Sequence, residues 1–266
     1  IEGASLEANK GAYSYAWMII FAVIAAIMVL IGLYHIRMLP SNQIPSTTKK
    51  TTSEVGRELV AVIANFFTKK HIFYYICFII LYRLAEGFIM KIAPLFLRAS
   101  REVGGLGLSL KEIGTLNGVF GSAAFVLGSL LAGIYVSKFG LKRTLFTLCC
   151  IFNLPFLAYT FLAVTQPTNV YLIGTCITME YFGYGFGFVG LTLFMMQQIA
   201  PGKHQMSHYA FASGIMNLGV MLPGMVSGYF SDLLGYRNFF IYVLIATIPA
   251  FLITYFIPFT YDDSKK

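Results

Sequence analysis

Seven long apolar segments occupy most of this 266-residue sequence. Each reaches the ~20 residues that cross the hydrocarbon core of a bilayer at 1.5 Å per residue. Every backbone N–H and C=O group must be paired inside lipid, and the alternating pattern of barrel strands does not occur here. We therefore predict an all-α integral membrane protein, with segments at roughly 13–36, 72–96, 113–136, 144–165, 170–196, 208–230 and 238–259.

The composition agrees with this fold class. Hydrophobic residues make up 58% of the chain, charged residues only 11%, and the mean hydropathy is +0.74, whereas a soluble domain carries about a quarter charged residues. The net charge of +8 does not indicate nucleic acid as a partner, because the basic residues flank the apolar segments instead of forming one patch. The predicted partner is the lipid bilayer.

The placement of the basic residues predicts a topology. Lys and Arg are concentrated in 37–71, at 137–143 and at the C-terminus, and are sparser in 97–112. Cytoplasmic loops carry the excess of positive charge. The bias favours the N-terminus outside and the C-terminus in the cytoplasm.

The chain divides into four parts. Residues 1–37 form a first spanning helix, 38–71 a cytoplasmic linker, 72–260 a six-helix body and 261–266 a tail. The start of the linker is rich in Pro, Ser and Thr, whereas 53–67 repeats apolar residues at helical spacing and so predicts a short amphipathic helix at the cytoplasmic interface. Because the chain begins with Ile1, we expect it to be part of something longer.

The four cysteines predict neither a disulfide framework nor a metal site. They lie inside apolar segments and form no C-x-x-C pair,. The sequence likewise indicates no metal and no cofactor.

Three ionisable residues at bilayer depth are the main functional candidates. Arg83 and Glu86 lie at i and i+3 on one helix face, and Glu180 lies in a later segment without a basic neighbour one turn away. Such groups are expensive in lipid and commonly mark a substrate or proton pathway. The alternative is that Arg83 and Glu86 only neutralise each other. Asn117 and Asn217 either bind a sugar or cross-link helices.

Several glycines also fall inside the segments. Gly114 with Gly118, and Gly183 with Gly187, are spaced for close helix packing, which we favour,. Gly219 and Pro223 either bend their helix for gating or pack statically.

An internal repeat is the second strong signal. Gly133, Ser137, Gly140 and Lys142 recur 95 positions later as Gly228, Asp232, Gly235 and Arg237. The repeat unit contains three apolar segments, and three is odd, so the second copy begins on the opposite side of the membrane. This arrangement is the inverted three-plus-three repeat.

These motifs resemble known transporters. The turn from Gly133 to Arg143 resembles the signature loop of the major facilitator superfamily. Leu81–Glu86, Met179–Gly187 and Ser207–Ala210 are similar to the corresponding stretches of AmpG-type muropeptide permeases, although Glu86 stands where Asp is often found. The resemblance covers about 70–260. It implies a transporter of at least twelve helices, of which this chain supplies the sixth and the C-terminal six.

The resemblance also implies a function. It predicts a proton-driven importer of cell-wall breakdown products in a bacterial inner membrane, working by alternating access together with the missing N-terminal half. In this scheme Glu86 and Glu180 exchange protons, Arg83 tunes Glu86 or binds an anionic group, and the loop residues Ser137, Lys142 and Arg143 latch the cytoplasmic ends. The alternatives are another cargo on the same fold, such as a drug or metabolite, or a seven-helix receptor or membrane-embedded enzyme. The repeat speaks against a receptor, and no nucleophile–base or metal-ligand set supports an enzyme.

Overall fold

The structure is a computed structural model that describes residues 2–38 and 51–261. The remaining parts, which include the Pro-, Ser- and Thr-rich start of the linker (39–50) and the 262–266 portion of the tail, lie outside the described residues. The chain forms two compact units divided after Thr52, and each is considered by itself.

The first unit is one long helix, α1 (Glu2–Met38). Its stretch Ser14–Met38 has a mean hydropathy of 2.8. The side chains of 14–38 are exposed on every face within the unit, which is the pattern of a helix that meets lipid or other membrane helices all round. The apolar segment predicted at 13–36 is therefore a helix.

The second unit is built from helices alone in its described part. The helices are α2 (Thr52–Phe67), α3 (Ile72–Tyr82), α4 (Leu84–Arg98), α5 (Leu110–Thr115), α6 (Ser122–Phe139), α7 (Leu141–Asn153), α8 (Phe156–Thr165), α9 (Val170–Phe194), α10 (Gln205–Ala246) and α11 (Ile248–Phe256). A π-helical turn, Leu116–Gly121, joins α5 to α6, and a second, Met195–Ile199, extends α9. After α2 these helices join end to end into six rods: α3–α4, α5–α6, α7–α8, α9 with its π-helical end, α10 up to Gly235, and the rest of α10 with α11.

The described part of the chain contains five helices long and apolar enough to cross a membrane, by length and composition alone: Ser14–Met38, Ile72–Arg98, Leu110–Phe139, Leu141–Thr165 and Gln205–Phe256. The last has 52 residues, or ~78 Å of helix, more than twice the ~30 Å hydrocarbon core. It is divided near its middle by a kink at Gly235, as the sequence predicted. The remaining segment, Val170–Phe194, is a 25-residue helix whose glycines and Glu180 lower its hydropathy, and its crossing stays a prediction.

The two copies of the repeat have the same backbone break. Gly140 (φ 78°, ψ 148°) separates α6 from α7, and Gly235 (φ 70°, ψ 160°), 95 positions later, divides α10. This region of backbone space is essentially open to glycine alone. The repeat seen in the sequence therefore fixes two equivalent turns between two equivalent pairs of helices.

Helix contacts follow the same symmetry. A Cβ at Gly87 in α4 would lie 2.7 Å from the carbonyl oxygen of Val220 in α10, and a Cβ at Gly185 in α9 would clash with the carbonyl oxygen of Phe125 in α6. Phe125 and Val220 are 95 positions apart. Equivalent helix pairs thus approach at equivalent places, and side chains cannot be added there without moving backbone.

The glycine predictions have mixed outcomes. Gly183 and Gly187 pack against α7 and the start of α8, as expected, since a Cβ at Gly187 would meet the ring of Phe152. Gly219 lies on the backbone of Ile80, which supports static packing. At Gly114 and Gly118 a Cβ would meet nothing within 4 Å in the described chain, so close packing there stays a prediction.

The amphipathic helix predicted at 53–67 is α2. Val62 and Phe66 are buried, and the Phe66 ring lies 5.7 Å from the rings of His208 and Phe211 in α10. The Val62 carbonyl is 3.3 Å from His208 Nε2. Two residues of the apolar stripe, Val62 and Phe66, therefore pack on the helical body, while its other large apolar residues stay exposed within the described chain.

A polar cluster fastens the same end of the molecule. Lys69 Nζ donates to the carbonyls of Ile199 and, at 2.8 Å, of Pro201, just beyond α9. Gln198 accepts from the N–H groups of Thr260 (2.8 Å) and Tyr261 (3.0 Å). Partial burial lowers the pKa of Lys69, because the charged form loses water. The segments before α3 and after α11 are thus both tied to the end of α9.

Candidate functional site

The candidate site is centred on a break in the first rod of the six-helix body. Helix α3 ends at Tyr82 and α4 begins at Leu84, with Arg83 between them at φ −103° and ψ 6°. Neither Pro nor Gly occupies the break, although these residues accompany most kinks. The helix path therefore changes at the same residue that carries the buried cation.

Arg83 and Glu86 form a two-pronged ion pair. Arg83 Nε donates to Glu86 Oε2 at 2.6 Å, and Arg83 Nη2 donates to Glu86 Oε1. The two residues are 4% and 5% exposed. Bidentate charge-assisted bonds of this kind are the stronger hydrogen bonds in proteins. The expected neighbour relation at i and i+3 is present, and the pair is almost fully out of solvent.

Helix α9 covers this pair with aromatic groups. The Tyr184 hydroxyl lies 3.4 Å from Arg83 Nη2, and the guanidinium carbon lies 5.4 Å from the centre of the Phe188 ring. Tyr82, beside the break, donates to the Gly187 carbonyl at 3.0 Å. The guanidinium is therefore held by a carboxylate, a phenol and a ring face at once.

Sequence reasoning missed these aromatic residues. Tyrosine and phenylalanine are so frequent here that each is treated as core or lipid-facing by default. The signal was present, since Glu180, Tyr184 and Gly187 are spaced i, i+4 and i+7 and so share one face of α9.

Glu180 lies one turn before Tyr184 on this face. It is half-buried and forms no hydrogen bond or ion pair with any described residue. Its repeat-equivalent position, 95 residues earlier, is Ala85, between Arg83 and Glu86. The buried charges of the two repeats thus lie at nearly equivalent sequence positions on equivalent helices, and among the described residues only those of the first repeat are paired.

The asparagines are not brought to the ion pair. Asn117 lies in the π-helical turn, and its buried Oδ1 has no partner in the part of the chain that the structure describes. Asn217 is exposed on α10. No contact between described residues joins either one to Arg83 or Glu86. Asn117 Oδ1 is therefore a buried acceptor without a hydrogen-bond donor among the described residues.

The loop residues lie away from this centre, at the ends of rods. Ser137, Lys142, Arg143, Asp232 and Arg237 are exposed beside the two glycine turns at Gly140 and Gly235. Ser137 Oγ donates to the Ile134 carbonyl at 2.9 Å, which ends the last turn of α6. Among the described residues no three His, Cys, Asp or Glu side chains come together as metal ligands.

Comparison with known proteins gives a consistent result. The sequence profile described as Major Facilitator Superfamily matches residues 11–204, from within α1 to the residue before α10. This match agrees with the signature turn at Gly140 and with the repeated rods.

Curated relatives point to one group of permeases. The chain is 23% identical over 209 residues to "Anhydromuropeptide permease" of Escherichia coli (strain K12), covering 79% of this chain and 41% of that protein. It is 25% identical over 238 residues to "Putative transporter AmpG 1" of Rickettsia bellii (strain RML369-C), covering 88% and 56%. It is 27% identical over 204 residues to "Putative transporter AmpG 2" of Rickettsia prowazekii (strain Madrid E), covering 75% and 47%.

These matches confirm the resemblance to AmpG-type permeases that the sequence motifs carried. The chain spans about half the length of the curated relatives that it matches.

Proposed function

This chain belongs to the major facilitator superfamily, and from that premise we propose that it forms part of a proton-coupled secondary transporter for an amphiphilic sugar–peptide. The observation that carries the proposal is the buried Arg83–Glu86 pair, which α9 covers with Tyr184, one helical turn after the unpaired Glu180. Carboxyl groups in lipid exchange protons more readily than they bear permanent charge.

In this proposal the two carboxyl groups have different tasks. Glu86 is held by two guanidinium bonds, so its protonation breaks an ion pair and frees Arg83 to bind an anionic group of the substrate. Glu180 has no cation beside it in the described chain, so it carries its proton through the bilayer and releases it only when water reaches it. Substrate binding and proton release are then coupled through Arg83 and Tyr184.

The cargo follows from the relatives and from the site. One relative is named for anhydromuropeptides, which combine sugar rings with a charged peptide. Aromatic faces such as Phe188 suit sugar rings, and a guanidinium suits a carboxylate. A drug or other metabolite on the same fold is the alternative cargo. Uptake of a radiolabelled anhydromuropeptide, competed by unlabelled compound and not by a cationic drug, separates the two.

The decisive experiment on coupling uses Glu180→Gln in the full-length protein. The amide imitates the protonated acid, so we expect uphill, proton-driven uptake to fall to background while exchange of labelled for unlabelled substrate continues. Thr178→Val, two residues away on a different side of α9, is the control and leaves uptake within about twofold, since most substitutions away from special features have small effects. Uphill uptake by Glu180→Gln at the wild-type rate makes Glu180 structural.

The orientation is also open to test. We propose, from the distribution of Lys and Arg, that α2 lies in the cytoplasm and the loop before α5 in the periplasm. A cysteine at exposed Val103 then reacts with an impermeant maleimide added to intact cells, on a background without the native cysteines. A cysteine at Thr47 stays unlabelled until the membrane is opened. The reverse pattern overturns the topology.

A further inference from the structure

We propose that the bundle holds one phospholipid in a lateral groove between α5–α6 and α7–α8, with an acyl chain along the groove and the phosphate against Lys111. The groove is a cavity of about 1580 Å³ floored by α9. It is a different place from the Arg83–Glu86 site, because the lining positions on α9 (Gly174, Thr178 and Met179 among them) do not include Glu180, Tyr184 or Phe188.

The walls of the groove are apolar and face outwards. Leu127 of α6, Leu157 of α8 and Met179 of α9 line it, and each is more than half exposed. Exposed leucines at membrane depth meet lipid tails in the absence of another helix. A concave surface of this kind therefore takes up an acyl chain in preference to water, because the lining is mostly apolar and gives water few polar partners,.

The groove arises from helix geometry. Pro155 separates α7 from α8 and is itself part of the lining, since proline has no N–H to continue the helix. The floor carries glycine at Gly174 and Gly183, whereas the repeat-equivalent positions are the buried Ile79 and Phe88. In the second repeat these glycines let α9 lie directly against Leu116 and Pro155, which form the sides of the groove.

The length of the groove matches one leaflet. On α9 the lining runs from Val170 to Gly183, thirteen residue steps or ~20 Å of helix. One leaflet of a ~30 Å hydrocarbon core is ~15 Å deep. The groove begins at the membrane surface beside the loop before α5 and ends near the bilayer centre, as a single acyl chain does.

The charge at its mouth fits a phosphate. Lys111, in the first turn of α5, lines the groove and forms no ion pair with a described residue. The neighbouring Glu112 also lines the groove, but its carboxylate turns back to the N-cap of α5, where it accepts from Ser109 N at 2.8 Å and from Ser109 Oγ at 2.7 Å, and it forms no ion pair with Lys111. A lysine that forms no ion pair with a described residue, above an apolar groove, can contact the phosphate of a lipid whose tail lies in the groove. Phosphatidylglycerol suits this contact because its headgroup carries no amine.

The repeat supplies a matched pair of reporters. Leu157 in the groove and Leu252 on α11 are 95 positions apart and similarly exposed, at 52% and 57%, but Leu252 does not line the cavity. Each is changed to Trp in the full-length protein after Trp17 and any other tryptophan are replaced by Phe. The proteins are reconstituted into symmetric bilayers with rising fractions of dibrominated phosphatidylglycerol, which quenches nearby tryptophan fluorescence.

We expect Leu157→Trp to be quenched at fractions about fivefold lower than Leu252→Trp, the advantage that one lysine near an anionic group provides. Lys111→Gln removes this advantage. Arg98→Gln, an equal charge change on the same side of the membrane but outside the groove, leaves it in place. If Leu157→Trp folds poorly, Met179→Trp serves as the groove reporter.

Three results overturn the proposal. Equal quenching at 157 and 252 at every fraction means that the groove holds only ordinary boundary lipid. Weaker quenching at 157 than at 252 means that another protein segment fills the groove. Loss of the advantage in Arg98→Gln as well as in Lys111→Gln also contradicts it, because the effect is then general surface charge and not a phosphate held at Lys111.

Discussion

Removing one charge of the buried pair tests whether Arg83 and Glu86 act as a unit. Both residues are at most 5% exposed and are joined by two charge-assisted bonds. Arg83→Leu leaves the Glu86 carboxylate without its cation, a loss of about 3–5 kcal/mol. It also removes the contact with the Phe188 ring, worth about 0.5–2 kcal/mol. We expect Arg83→Leu to be among the most destabilising single substitutions in this body.

The double variant separates stability from transport. Arg83→Leu with Glu86→Leu removes both charges, and an apolar replacement of a buried pair is often neutral or stabilising. We therefore expect the double variant to recover most of the lost unfolding free energy while its uptake stays at background, because leucine carries neither a proton nor an anionic group.

The measurements are thermal unfolding of purified full-length protein in nanodiscs and substrate uptake at equal membrane abundance. Lys91→Leu is the control, since it removes an exposed cation from the same helix, and we expect at most about 0.5 kcal/mol. Uptake by the double variant above about half the wild-type rate removes the pair from the mechanism. If Arg83→Leu lowers the unfolding free energy by less than about 1 kcal/mol, Glu86 is not left as a costly buried charge.

Two further predictions concern the scaffold. Gly140→Val and Gly235→Val place a side chain on a backbone conformation that is essentially restricted to glycine, so each should lower the unfolding free energy by about 1–3 kcal/mol. Gly133→Ala is the control and should be neutral in the same unfolding assay, because its Cβ would meet nothing within 4 Å in the described chain. Unchanged stability in both valine variants would contradict the turn geometry. Lys69→Met leaves the carbonyls of Ile199 and Pro201 without their donor and should lower the unfolding free energy by about 1–3 kcal/mol,. Lys70→Met, at an exposed position, is the control and should change it little. Equal effects of the two variants in thermal unfolding would show that the Lys69 contacts do not stabilise the fold.

Local features could be predicted from the sequence because they depend on neighbours along the chain. The spanning helices follow from hydropathy and length, since lipid leaves the backbone few other choices. The Arg83–Glu86 pair follows from its spacing, because residues three apart lie on one helix face. Gly140 and Gly235 could be found by their constant offset, and the structure shows that they share one backbone conformation.

The tertiary structure alone decided which distant residues meet. Tyr184 and Phe188 reach Arg83 only because α9 packs beside the break at that residue, and nothing in the local sequence marks that break with Pro or Gly. Identical spacing also had opposite outcomes: Gly183 and Gly187 lie against neighbouring helices, whereas Gly114 and Gly118 face open space in the described chain. The sequence by itself determined the helices, the repeat and the charges. Packing decided their partners, because the face that a helix presents to a neighbour depends on the positions of all the other rods.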